Sequence, residues 1–139
     1  MKSIFYFLVF ILIGSCQSKP DQDDLAYLNG YWEIDQVVFP DGTKKVYQVN
    51  DWIDFFQLKA NKGWRQKVQP QMDGKFIANE LKETIQIIDS NACYYLKTKA
   101  TYTSWTEKIV SVSKDAFTLE NDAKIEYHYK RFVPYAKRK

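Results

Sequence analysis

Stretches that read as short strands, cut by turn signals about every eight to twelve residues, constrain this chain more than any other feature. β-Branched and aromatic residues fill 31–39, and Pro40-Asp41-Gly42 then turns the chain. The run 44–49 continues until Asn50-Asp51 interrupts it. After 52–59 comes Ala60-Asn61-Lys62-Gly63, a turn in which Gly63 is expected to supply positive φ. Trp64 and Val68 alternate with Arg65 and Lys67 before Pro70, and Met72-Asp73-Gly74 turns again. The segments 76–79 and 84–89 read as two short strands, with Glu80 and Glu83 beside a turn between them. Further strands follow at 94–102, 105–113, 117–120 and 124–132, separated by polar turns. Helical character is confined to one possible turn at 25–28.

The pattern predicts an all-β fold, an antiparallel up-and-down β-barrel of about eight to ten strands. Short connections make neighbours in sequence neighbours in space, and closure leaves no free edge. Register is clearest in the last strand. Ile125, Tyr127, Tyr129 and Arg131 share one face, which reads as the barrel interior, and Glu126, His128 and Lys130 share the other. The same alternation assigns Ile34, Phe56, Leu58, Trp64, Phe76, Ile85, Ile87, Leu96, Phe117 and Leu119 to the inside. A barrel of eight strands has room for side chains or one small ligand. Trp64, Tyr127, Tyr129 and Phe56 are the candidate ligand-binding residues, because a buried tyrosine needs a partner for its hydroxyl and a ligand provides one.

The N-terminus carries a different signal. Lys2 precedes the apolar run 4–13, and Gly14-Ser15-Cys16 follows it. A spanning helix needs about 20 apolar residues, so this run reads as a signal h-region. The small residues before the cysteine resemble a bacterial lipobox. That resemblance implies a signal peptide at 1–15, an acylated Cys16 as membrane anchor, and a polar tether over 16–27. Gln17, where an aspartate would resemble an inner-membrane retention signal, points to the outer membrane. The barrel is expected over 28–133, and 134–139 as a solvated basic tail. With 20 basic and 17 acidic residues the charge is nearly balanced, which gives no argument for nucleic acid. Once Cys16 is acylated, Cys93 is left without an internal disulfide partner.

Leu28-Asn29-Gly30-Tyr31-Trp32 at the start of the first strand resembles the Gly-x-Trp opening of the lipocalins. Arg131 in the last strand matches the arginine that packs over that tryptophan at the closed end. The stretch 105–119 resembles the late hairpin of small lipocalin-like domains in bacterial lipoproteins. The resemblance implies that Gly30, Trp32 and Arg131 close the barrel, and that the open end takes a small molecule. The long helix that usually follows a lipocalin barrel has no counterpart in this sequence.

Catalytic chemistry finds little support. His128 is the one histidine and sits on the outward face. Ser111 and Ser113 have no partner base, and Cys93 reads as an inert thiol. No His/Cys/carboxylate set has metal-ligand spacing, so neither a metal nor a cofactor is expected. The expected function is a lipid-anchored barrel that binds a small apolar or amphipathic ligand in the cell envelope. The alternative is a filled-core barrel that docks an envelope protein through aromatics such as Trp52, Tyr47 or Tyr94. A cavity separates the first from the second.

Overall fold

The structure, a computed structural model, describes residues 18–139. The leader 1–15 and Cys16 lie outside the described residues. Alternating apolar residues and tight turns produce nine strands: β1 (Gly30–Val38), β2 (Lys44–Val46), β3 (Ile53–Lys59), β4 (Lys62–Pro70), β5 (Phe76–Ser90), β6 (Cys93–Lys99), β7 (Ser104–Val112), β8 (Ala116–Glu120) and β9 (Glu126–Arg131). Strand β1 and strands β3 to β9 form an antiparallel meander, and pairing of β1 with β9 closes it into an eight-stranded barrel. β2 is an added arm. It pairs with Gln36–Val38 of β1, whereas β3 pairs with Gly30–Trp32. Asn50 Nδ2 bridges the gap by donating to the Ile34 carbonyl at 3.0 Å.

Two local expectations are corrected. The segments 76–79 and 84–89 are one fifteen-residue strand, β5. Its bend comes from a bulge in which Asn79, Glu80 and Leu81 stand opposite Lys67 alone. Glu80 and Glu83 are therefore strand residues. The positive φ after β3 belongs to Ala60 (55°) and not to Gly63. Gly63 is required for a different reason: a Cβ there would meet the Gln57 carbonyl oxygen at 1.8 Å, within the β3–β4 pairing.

The barrel has a closed end. Trp32, Phe56, Phe117, Leu96, Ile109 and Leu119 are fully buried inside it, and Trp32 packs edge-on against Phe117 at 4.7 Å. Leu25 and Leu28 of a short 3-10 helix, Asp23–Leu28, plug the bottom. The polar tether expected over 16–27 is thus partly core. Upstream, Lys19 is held by Asp89 at 2.5 Å and lies over the Tyr94 ring. Tyr94 itself is buried in the core, which removes it from the exposed docking aromatics.

Gly30, Trp32 and Arg131 meet at the closed end. The Arg131 guanidinium carbon lies 3.8 Å from the Trp32 ring centroid. Its nitrogens donate to the carbonyls of Asn29 at 2.6 Å, Tyr27 at 2.8 Å and Lys114 at 2.8 Å. Trp32 Nε1 donates to the Leu28 carbonyl at 2.9 Å. Gly30 has φ +115°, and a Cβ there would come within 2.6 Å of Arg131 Nη1. The glycine is what lets the arginine reach the first strand.

A second apolar cluster sits on the outer wall. Ile53, Val68 and Phe132 are buried there beneath Tyr31, Phe55, Phe76 and Tyr135. Tyr31 stacks on Phe76 at 4.1 Å. Phe76, expected inside, therefore packs outside, because the β4–β5 hairpin extends past its bulge and folds over β1 and β3. The C-terminal segment covers the same cluster. Arg138 lies over Tyr135 and Phe132 and pairs with buried Glu33 at 3.1 Å, so 134–139 is docked and is not a free tail.

Candidate functional site

Above the apolar plug the inward positions change character. Two residues before Phe56 on β3, the inward side chain is Asp54, buried and paired with Lys67 of β4 at 2.8 Å. Arg65, opposite Phe56, enters the barrel and lies 5.9 Å above its ring and 5.1 Å from the Trp105 ring. Arg65 Nε donates to Glu83 Oε2 at 2.7 Å. On β7, Trp105 and Glu107 precede Ile109 on the inward face, and Trp105 Nε1 donates to Glu107 Oε1 at 3.0 Å. On β9, Tyr129 stacks on Phe117 at 4.5 Å, which places its hydroxyl at the floor of the mouth. Tyr127 stands next to it on the same face, and its hydroxyl accepts from Asn121 Nδ2 at 3.5 Å.

These side chains divide the mouth into two spaces. The larger, about 520 Å³, lies among Arg65, Trp105, Glu107, Tyr127, Tyr129 and the loop 121–123. The smaller, about 130 Å³, lies on the Asp54 and Glu83 side. Arg65 and Tyr129 line both and form the wall between them. Tyr129 makes no hydrogen bond to a described residue. Thr98, which points inward from β6 beside Trp105, has the one fully buried side-chain polar atom without a partner among the described residues.

Burial shapes the ionisation of the mouth. Glu107 is 8% exposed, and desolvation raises its pKa above the ordinary carboxylate value despite Arg65 and the Trp105 bond. Burial also opposes the Arg65 charge, but the bond to Glu83 and the nearby carboxylates outweigh it, so its pKa rises. Tyr129 is pushed well up, first by burial and then by Asp54, which keeps its hydroxyl protonated.

Of the expected ligand-binding residues, the structure brings Tyr127 and Tyr129 together in the mouth. Phe56 is inward but fully buried under Arg65, so it forms the floor and has no free face. Trp64 is on the outer wall, 5.2 Å from Phe55 and beneath Lys82. The assumption that aromatic residues of β4 face inward and charged ones outward fails here, because the mouth interior is polar and Arg65 has partners inside it. Reasoning from the sequence missed Arg65, Glu83, Asp54, Trp105 and Glu107. A usable signal was present in β7, where Trp105, Glu107 and Ile109 alternate in one register. His128 is on the outer face, between Glu126 at 2.8 Å and Thr118 at 3.1 Å.

No protein-family model matches the chain, and no curated protein is detectably similar to it. Two solved structures are similar in shape. One is a lipocalin-like protein from Bacteroides uniformis, 16% identical, with a TM-score of 0.47, over 76% of this chain and 99% of the other. The second is an uncharacterized protein from Bacteroides eggerthii, 11% identical, with the same TM-score and coverage.

Proposed function

We propose that this chain is an envelope lipoprotein whose lipocalin-like barrel holds a small amphipathic molecule in its mouth. One observation carries this reading: a cavity of about 520 Å³ opens above the cluster of buried apolar residues that fills the other end. Ligand sites are typically concave, mostly apolar, and finished by a few polar groups. Trp105, Tyr127 and Tyr129 supply the aromatic walls of this one, and Arg65, Thr106, Glu107, Asn121 and Asp122 the polar groups. The reading is of a binding protein and not of an enzyme.

Anchoring rests on the lipobox resemblance of Cys16. It fits the geometry of the described residues. Lys19 follows Cys16 by three positions, a reach of roughly 10 Å when extended. Lys19 is fixed at Asp89, beside the β5–β6 turn at the closed end. An acylated Cys16 would hold the closed end against the outer membrane and direct the mouth away from it. Metabolic labelling with a palmitate analogue tests this. The wild type is expected to carry the label and Cys16→Ser to lose it; an unlabelled wild type overturns the anchor.

Native mass spectrometry of the protein purified without added lipid tests the binding reading. A small mass that denaturation releases is expected. A bare protein that also fails to take up any amphiphile overturns it. The second reading, a docking module, is favoured by the exposed Trp52, Met72, Leu81 and Tyr102, which extend from strands and loops around the mouth. Cross-linking to one envelope protein, lost on Trp52→Ala, would support that reading.

A further inference from the structure

Which amphiphile the mouth selects follows from a comparison of its charges. Three carboxylates, Asp54, Glu83 and Glu107, face inward against two cations, Arg65 and Lys67. The two cations are already bonded: Lys67 to Asp54 at 2.8 Å and Arg65 to Glu83 at 2.7 Å. Glu107 forms no ion pair within the described residues; its one bond is the neutral donor Trp105 Nε1 at 3.0 Å. A second acid, Asp122, lines the same cavity, and no cation beyond Arg65 does.

We infer that the mouth selects a ligand carrying an ammonium group, seated between the Glu107 carboxylate and the rings of Trp105, Tyr127 and Tyr129. This rests on the binding reading above and adds the charge of the ligand to it. The physical reasons are three. A desolvated carboxylate without a cation is costly, and a bound ammonium removes that cost. Aromatic faces attract cations, by about 0.5–2 kcal/mol each depending on desolvation. Tyr129 lines this cavity, and its hydroxyl, which makes no hydrogen bond to a described residue, can accept an N–H donor. A carboxylate ligand would gain the terminal nitrogens of Arg65, but it would meet Glu107 and Asp122 in the same space. The raised pKa of Glu107 agrees with a carboxylate that lacks its counter-ion.

The test compares three eight-carbon probes of matched tail, octylamine, octan-1-ol and octanoate, by isothermal titration of the purified protein near pH 7.5. Octylamine is expected to bind at least about tenfold more tightly than octan-1-ol, with octanoate weakest. Glu107→Gln keeps the acceptor for Trp105 and is expected to erase the advantage of the amine over the alcohol. Asp122→Asn is expected to reduce it in part. Octanoate in first place, or an amine preference that survives Glu107→Gln, overturns the inference. If octan-1-ol binds as well as octylamine, the ammonium selectivity falls and the binding reading stands. If none of the three binds, both fall.

Discussion

The two ends of this barrel are built from the same eight strands and obey opposite rules. At the closed end every prominent polar group is satisfied: Trp32 Nε1 has the Leu28 carbonyl, and Arg131 has three carbonyls and an indole face. At the mouth the polar groups are paired only in part: among the described residues Glu107 has no cation, and the Thr98 hydroxyl is buried without a partner. Partly satisfied polar networks in a low-dielectric interior cost stability, and proteins keep them where something else is gained. The contrast teaches that the closed end stabilises the fold, and that on the proposed reading the mouth is the part shaped for a guest.

The largest expected effect is at the closed end. Trp32→Ala removes a fully buried indole that contacts Phe117 and Arg131, leaving a cavity and an orphaned carbonyl. A loss of about 3–5 kcal/mol in denaturant unfolding is expected. A loss under about 1 kcal/mol would break the assignment of stability to that end. Arg131→Met comes next. It keeps an apolar stem and removes the donors that join Tyr27, Asn29 and Lys114, with an expected loss of about 2–3 kcal/mol in the same measurement. Gly30→Ala should approach that loss, since its Cβ strikes the same guanidinium.

The closed end was legible in the sequence, and the mouth was legible only in outline. Period-two alternation reports which residues are apolar, and the closed end is filled by apolar residues, so Phe117, Leu119, Ile85, Ile87 and Leu96 were placed correctly. Gly30, Trp32 and Arg131 were readable because their types and their places in the first and last strands match a known pattern. In the mouth the same logic misassigned Trp64. A charged residue at an inward position looks like an outward one until its partner is known, and Glu83 is eighteen residues from Arg65. Phe76 was misassigned for a related reason. It alternates as a core residue does, but a bulge of two extra residues after it carries its hairpin outside the wall. The docked tail escaped notice because Arg138 finds Glu33, 105 positions away.

That outer cluster gives the intermediate test. Removing 134–139 takes away Tyr135 and Arg138 and leaves Phe132 uncovered and Glu33 with Lys130 alone. A loss of about 1–2 kcal/mol is expected. A free basic tail would give no loss.

The smallest expected effect is the most specific to the mouth, because it has a sign that depends on pH. Burial raises the Glu107 pKa in the folded protein above its value in the unfolded chain. The folded state therefore holds that proton more tightly, and the contribution of Glu107 to stability is greatest below the unfolded pKa. It is lost as pH rises through the raised folded value. Glu107→Gln cannot ionise, retains an acceptor for Trp105 Nε1, and leaves Arg65 bonded to Glu83. The variant should match the wild type in acid and become the more stable protein as pH rises to neutrality, by less than any deletion above costs. Thermal unfolding at pH 4 and at pH 7.5 reads the divergence. A variant that loses stability at neutral pH would mean that Arg65 already satisfies Glu107, and the mouth would then be as self-sufficient as the closed end.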